Sequence, residues 1–286
     1  MSFKFNFSTD LKSDEEDIDK ITTNKKQKTD DVRPAKKITI SIDPKDLEEK
    51  DVKVFTVDDE TEITFVDIAN IPRNAKDGDG EETIAELSDL VPNIYEGGLK
   101  IWECSLDLTD YLRSIKDEIN FNDKSVLELG CGAGLPGIYA YKNGADVMFS
   151  DYNEDVLESV TIPNVLLNTA NCDKNVVHKR CQFWSGDWSS LQQRLKNRFD
   201  VILSSETIYN PSSYAKLYDM LKSLLKPDGR IYLAAKTYYF GVGGGTRQFE
   251  SLVKTEAEFD IEVCKEYSEG VNREILHMTW KSDGDG

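Results

Sequence analysis

The stretch Ser125–Gly137, SVLELGCGAGLPG, limits the possible folds of this chain more than any other. An apolar run ending at Leu129 has the length of a buried strand. Glycines follow at once at 130, 132 and 134, where the backbone can turn tightly and approach a ligand without interference from a Cβ. Pro136–Lys142 then opens a helix. Strand, glycine-rich turn and helix in this order begin a parallel α/β sheet, whose ligands lie at the carboxyl ends of the strands.

The flanking pattern extends that unit. Leu106, Leu108, Tyr111, Leu112 and Ile115 fit an amphipathic helix before it. After it come a strand at Asp146–Ser150 and a helix starting at Glu154–Val160. Further strands are predicted at Cys181–Trp184, Phe199–Ser204 and Ile231–Lys236. Phe259–Glu266 and Glu274–Trp280 read as two long strands joined by a turn near Gly270. The expected fold is a Rossmann-like α/β sheet of seven strands, mostly parallel, with an antiparallel C-terminal strand pair and helices on both faces.

The remainder of the 286 residues is more polar. Residues 1–37 are charge-mixed and expected to be a disordered tail. In it Phe3, Phe5 and Phe7 alternate as in a short docking segment. Lys25, Lys26 and Lys28, then Arg33, Lys36 and Lys37, form two basic clusters that resemble a nuclear-import signal. Residues 38–87 hold short β-rich runs (ITISI, VFTV, ITFVDIA) and the loop RNAKDGDGEE, a lead-in and linker to a main domain at 88–286. The net charge of −18 weakens any nucleic-acid reading and favours a basic protein partner. Five widely spaced cysteines without a Cys-x-x-Cys pair indicate reduced thiols, with neither a disulfide framework nor a zinc site. The start has no signal-peptide pattern, and no run has the length of a membrane span. A monomer without membrane association is expected.

Two cofactors compete for the glycine turn. Gly132-Ala-Gly134-Leu-Pro-Gly137 satisfies the dinucleotide pattern G-x-G-x-x-G, and Asp151 follows at the spacing of a ribose ligand. The glycines, however, begin two residues earlier, behind an acid, as Glu128-x-Gly130-x-Gly132-x-Gly134. Pro136 also alters the first helical turn. Glu128 is placed to reach the amino-acid half of an S-adenosylmethionine molecule. Asp151, in FSDYN, can accept from two ribose hydroxyls. In WSGDW, Asp187 can accept from the adenine amino group while Trp188 covers the ring. Glycine turn, ribose acid and adenine acid in that order favour S-adenosylmethionine over a nicotinamide dinucleotide.

With YEGGLKIWEC, ELGCGAGLPG, DYN, TIPN, SGDW, SETIYNP and YFGVGGG in succession, the chain from about Pro92 onward resembles the protein-histidine N-methyltransferases of the seven-β-strand superfamily. That family methylates a histidine of large-subunit ribosomal protein three. The resemblance implies that Ile101, Trp102, Glu103 and Cys104 close over the cofactor and that Gly130 and Gly132 contact it through their backbones. It further implies a ribose cluster of Asp151, Tyr152 and Asn153, an adenine cluster of Gly186, Asp187 and Trp188, and a contact at Ser204. Glu206 and Tyr209, in an acid-x-x-aromatic signature, would stand beside the target nitrogen. The resemblance also implies methylation of the ring nitrogen remote from the main chain, a basic ribosomal partner, and work in cytoplasm and nucleus.

The acceptor sets the catalytic demand. A lysine amine must lose a proton first, whereas an imidazole with a reference pKa near 6.5 is mostly neutral and needs only tautomer control. Glu206 is the candidate for accepting from the opposite ring N–H, and Tyr209 for shaping the slot. Three consecutive glycines cannot be a helix interior, so Phe240, Gly243 and Gly244 are expected in a flexible wall that admits the substrate loop. His178 and His277 are poor catalytic candidates. Two other readings stay open: a lysine methyltransferase for a translation factor or chaperone, and a non-catalytic, cofactor-binding ribosome-assembly module.

Overall fold

The computed structural model describes residues 32–70 and 98–282. The Phe3–Phe5–Phe7 segment, the first basic cluster and the loop at 73–82 lie outside the described residues. In chain order come β1 (Lys36–Ile38), α1 (Lys45–Glu48), β2 (Val52–Thr56), β3 (Glu62–Val66) and α2 (Glu103–Ser114). The glycine unit gives β4 (Ser125–Leu129) and α3 (Leu135–Lys142), followed by β5 (Asp146–Asp151). Next is a helical stretch of α4 (Glu154–Val156), a π turn at Leu157–Thr161 and α5 (Ile162–Leu167). Then follow α6 (Lys174–Arg180), β6 (Cys181–Ser185), α7 (Trp188–Arg194), β7 (Phe199–Ser205), α8 (Tyr214–Leu224) and β8 (Leu225–Lys236). The last elements are α9 (Thr246–Glu256), β9 (Phe259–Tyr267) and β10 (Arg273–Trp280).

The main sheet has the order β1-β6-β5-β4-β7-β8-β10-β9. β4 to β8 pair in parallel, and β10 is antiparallel to both β8 and β9. The expected antiparallel C-terminal pair is present, with β10 inserted inside the edge strand β9. From β4 the chain winds outward through β5 and β6 on one side and returns through β7 and β8 on the other. The switch point therefore lies at the end of β4, where an open α/β sheet presents its crevice.

Two apolar clusters cover the two faces. Val126 shares one with Leu108 and Leu112 of α2, Ile138 of α3 and Val165 of α5. Leu127 and Leu129 share the other with Leu217 and Leu221 of α8 and Phe249 and Val253 of α9. Alternation along a strand delivers successive side chains to opposite layers, and a strand buried on both faces is accordingly apolar at almost every position.

The N-terminal lead-in differs from expectation. Lys36–Ile38 pair antiparallel with β6, so the charged tail does not extend to residue 37. Its charges misled the reading: an edge strand needs only one buried side chain here, Ile38. Of ITISI, only the first isoleucine belongs to a strand. VFTV and ITFV form the hairpin β2–β3. Ile63 and Val66 of β3 are buried in the first of the two clusters.

Candidate active site

The carboxyl ends of β4, β5, β6 and β7 carry the glycine turn and all three acid corners. Gly130, Gly132 and Gly134 have φ of 62°, 49° and 75°, a region that favours glycine. At Gly130 space requires it too, since a Cβ would lie 2.5 Å from Cγ2 of Thr207. The turn is held by side chains. The Gly132 carbonyl accepts from the Thr161 hydroxyl at 2.6 Å, and the Ala133 carbonyl accepts from Nδ2 of Asn164 at 2.9 Å. Oδ1 of Asn164 accepts from the Val66 amide at 2.8 Å, so one buried amide ties the β2–β3 hairpin to the turn. Thr161 and Asn164 were not among the candidate residues, although TIPN lay within the motifs. The signal is a Thr and an Asn within the apolar run at 160–167, beside the π turn, a feature that recurs at functional sites.

Asp151 is 5% exposed. Its Oδ2 accepts from the Gly132 amide at 3.0 Å and its Oδ1 from the Asn153 amide at 3.1 Å. Burial pushes the carboxyl up to about 6 against those two amides, which act to lower it. Each oxygen keeps a further lone pair, which suits the two hydroxyls of a ribose. The residues present therefore fit an adenosyl cofactor at this corner.

Glu128 has a different task from the expected one. It shares the face of Val126, which α3 covers, and is 1% exposed. Its Oε2 accepts from the Gly137 amide at 2.9 Å, while Oε1 is buried without a hydrogen-bond partner. Burial pushes its carboxyl up to about 8. A side chain sealed beneath the helix does not reach a cofactor above the turn. A Cβ on Gly137 would collide with this carboxylate and lie 2.5 Å from the Phe149 ring. Gly137 thus packs as closely as the third glycine of a dinucleotide site, so Pro136 does not separate the two cofactors.

At the adenine corner the Gly186 amide donates to the Asp151 carbonyl at 3.1 Å, joining the two acid loops. Asp187 caps α7: its Oδ1 accepts from the Ser189 amide at 2.8 Å and from the Ser189 hydroxyl. Its Oδ2 accepts from Lys216 at 3.1 Å. Burial alone would raise this carboxyl, but Ser189 and Lys216 hold it below the usual carboxylate range. One acceptor direction on Oδ2 is left for an adenine amine. Trp188 is half-buried and packs on the core cluster of α8 and α9.

Opposite the turn, a Cβ on Gly132 would lie 3.5 Å from the Gly98 carbonyl, so the start of the 98–104 segment lies against the glycines. The Trp102 ring has the Lys100 ammonium 4.4 Å and the Lys236 ammonium 5.0 Å from its centroid. Ile101 is half-buried against the core, and Cys104 is fully buried beside Glu206. Glu103 departs from the expected cluster, because its carboxylate pairs with Arg273 at 3.2 Å and is largely exposed. Ser204 departs as well. It is fully buried, and its hydroxyl donates to the Leu129 carbonyl at 3.1 Å, bracing the turn from β7. Asn153 is buried and Tyr152 half-buried beside Asp151.

The acceptor corner starts where β7 ends. Glu206 has φ of 59° and is 8% exposed, with its amide donating to the Ala234 carbonyl at 2.9 Å. A non-glycine residue there stores backbone strain, a common property of functional positions. Oε2 accepts from the Tyr239 phenol at 2.5 Å. Oε1 is buried, makes no hydrogen bond and has the Lys236 ammonium 3.9 Å away. The Tyr209 ring stands edge-on to Tyr239 at 6.3 Å between centroids. Tyr239 and Lys236 were missed because KTYYFGVGGG drew attention to Phe240 and the glycines.

Phe240 is 81% exposed and packs its ring edge-on to Tyr238 at 5.1 Å, forming an aromatic lip. Gly243, with φ of 92°, would have open space around a Cβ. Gly244 does not belong to this open wall. It is buried, donates to the Tyr209 carbonyl at 3.0 Å and presses on the backbone of Ile208 and Tyr209. His277, on β10, faces Glu262 at 3.0 Å and is in register with Tyr232, four positions before Lys236 on β8.

The chain has relatives among known proteins. A family model described as lysine methyltransferase matches residues 92–243. A histidine protein methyltransferase 1 homolog of Dictyostelium discoideum is 45% identical over 70% of this chain and 63% of its own length. The homolog of Bos taurus is 41% identical over 70% of this chain and 60% of its length. Histidine protein methyltransferase 1 of Schizosaccharomyces pombe is 35% identical over 68% of each chain. The first two matches span less than two thirds of those relatives. The methyl donor of this methyltransferase family is S-adenosylmethionine, and the glycine turn with Asp151 is where this chain would hold it.

Proposed function

Since the chain belongs to the histidine protein methyltransferase family, we propose that it transfers a methyl group from S-adenosylmethionine to a histidine imidazole of another protein. When bound, the cofactor supplies an electrophilic sulfonium methyl. The glycine turn and Asp151 hold its adenosyl part, and their prior fixing by Thr161 and Asn164 serves the alignment that in-line displacement demands.

The observation that carries the acceptor assignment is the buried Oε1 of Glu206, which makes no hydrogen bond and faces the Lys236 ammonium only across 3.9 Å. A buried acceptor without a donor is costly, and the N–H of a target imidazole would relieve it. Accepting that N–H would leave the lone pair on the opposite nitrogen, which is then the nucleophile for the methyl group that the cofactor would supply. The ring becomes an imidazolium whose N–H still faces Glu206, and the proton then leaves to solvent. The nitrogen proposed to be methylated is the one remote from the main chain, the end of a histidine side chain that reaches furthest past the Tyr209 and Tyr239 rings beside Glu206.

The proposed target is large-subunit ribosomal protein three, met in the cytoplasm or nucleus by a monomeric enzyme. A net charge of −18 supports a basic partner. The second basic cluster is partly engaged, with Lys36 paired to Glu154, so nuclear entry on this reading rests on Lys25–Lys28. The lysine reading is favoured by the family model's own description. It requires removal of a proton from a group with a reference pKa near 10.4. Incubation with labelled S-adenosylmethionine and extract from a strain lacking the gene, followed by mass spectrometry, separates the readings. Methylhistidine in that ribosomal protein is expected. Methyllysine alone would replace the proposal, and no label would point to a binding module.

A further inference from the structure

The segment just before β1 lies outside residues 92–243 matched by the family model, yet it is built onto the adenosine corner. The Arg33 carbonyl accepts from the Asp187 amide at 3.0 Å, and the Ala35 amide donates to the Ser190 hydroxyl at 2.8 Å. The Arg33 guanidinium lies 4.6 Å from the centroid of the Tyr152 ring, with Nη1 donating to the Tyr152 carbonyl at 3.5 Å. Beyond it, Lys36 pairs with Ser185 in the strand register and its ammonium with Glu154. One short strap therefore touches Tyr152, just after Asp151 at the end of β5, and the loop after β6, which carries Asp187.

The glycine of SGDW is explained by this contact. A Cβ on Gly186 would lie 2.7 Å from the Pro34 carbonyl oxygen and 2.8 Å from Cα of Ala35. Gly186, at φ of 118°, is thus shaped for the strap that covers it. The two loops depend on one another through the Gly186–Asp151 bond, and the strap clamps both from outside. A planar guanidinium stacked on an aromatic face holds that ring in place more rigidly than an ammonium would.

We propose that Arg33–Ala35 form the outer wall of the adenosine site, with Arg33 positioning Tyr152 so that the adenosine end of the cofactor and of its product is retained. The ligand class is an adenine nucleoside carrying a 5′-thioether or sulfonium. This inference rests on the family's cofactor and is independent of the acceptor.

The test is calorimetry on the full chain with S-adenosylhomocysteine and, separately, adenosine as probes. Arg33→Ala should weaken both by the same factor, about fivefold or more, because the strap touches only the half they share. Arg33→Lys should recover only part of the loss. Lys37→Ala, two residues beyond the wall on β1, should leave both affinities within twofold. Far-UV circular dichroism checks that each variant is folded. Unchanged or tighter binding in Arg33→Ala would overturn the wall, and so would a loss confined to S-adenosylhomocysteine. Failure of the wild type to bind either probe would instead strike at the cofactor assignment.

Discussion

The phenol of Tyr239 donates to Oε2 of Glu206 and leaves Oε1 of the same carboxylate buried, without a hydrogen bond and 3.9 Å from the Lys236 ammonium. Burial, with Glu206 next to it, pushes the phenol well above its ordinary value, so it remains a donor across the physiological range. Glu206→Gln should lower kcat by about a hundredfold, as expected for a group acting in the transition state. Tyr239→Phe, which frees the carboxylate to turn, should lower it by about tenfold. Affinity for S-adenosylhomocysteine should stay within twofold in both. Steady-state kinetics beside calorimetry checks this, and a parallel loss of affinity would remove Glu206 from the acceptor corner.

Glu128 makes stability depend on pH. Its carboxyl rises from 4.5 to about 8 on burial, so the folded state holds the proton more tightly. The contribution is complete below pH 4.5 and is lost as pH rises through about 8. Asp151, raised from 3.8 to about 6, acts with the same sign over a lower window. Urea unfolding at pH 5.5 and 8 should show wild type losing more stability with rising pH than Glu128→Gln, which has no proton to release there. Equal losses in the two proteins would contradict the assignment.

Asn164 joins the hairpin to the glycine turn. Asn164→Ala leaves the Val66 amide and the Ala133 carbonyl without this partner. The expected cost is about 2–4 kcal/mol of unfolding free energy, together with weaker S-adenosylhomocysteine binding. Chemical denaturation and calorimetry read the two effects. A change in stability with unaltered binding would mean that the turn holds its shape without Asn164.

Phe240 is exposed, so Phe240→Ala should change stability by no more than about 0.5 kcal/mol. Its effect should fall on the protein substrate, with KM raised several-fold while cofactor affinity is kept. Kinetics with the full-length substrate protein decides this, since a short peptide need not reach the lip. An unchanged KM would take the aromatic lip out of substrate capture.

Much of the site could be read from local order. Asp151 lies one strand beyond the glycines, and its role follows from a register that parallel pairing enforces. The errors arose where side-chain direction matters. Glu128 precedes the first glycine, as a cofactor acid would, but strand alternation aims it beneath α3. Glu103 sits between Trp102 and Cys104, yet Arg273, 170 positions away, draws it outward. Asp187 is expected to accept from an adenine amine, and the sequence does not show that Ser189 and Lys216 already take part of its capacity.

The sequence by itself determined the strand–turn–helix unit, the family and the order of the cofactor corners. These depend on backbone conformations that few residues can adopt and on periodicities of two and 3.6 residues. Only the tertiary structure decided that Tyr239 aims Glu206, that Asn164 supports the turn and that residues 33–35 lie against Tyr152 and the Gly186–Ser190 loop. Each of those contacts joins positions 31 to about 155 residues apart. No local pattern encodes such a pairing, because it exists only once the sheet has brought the loops together.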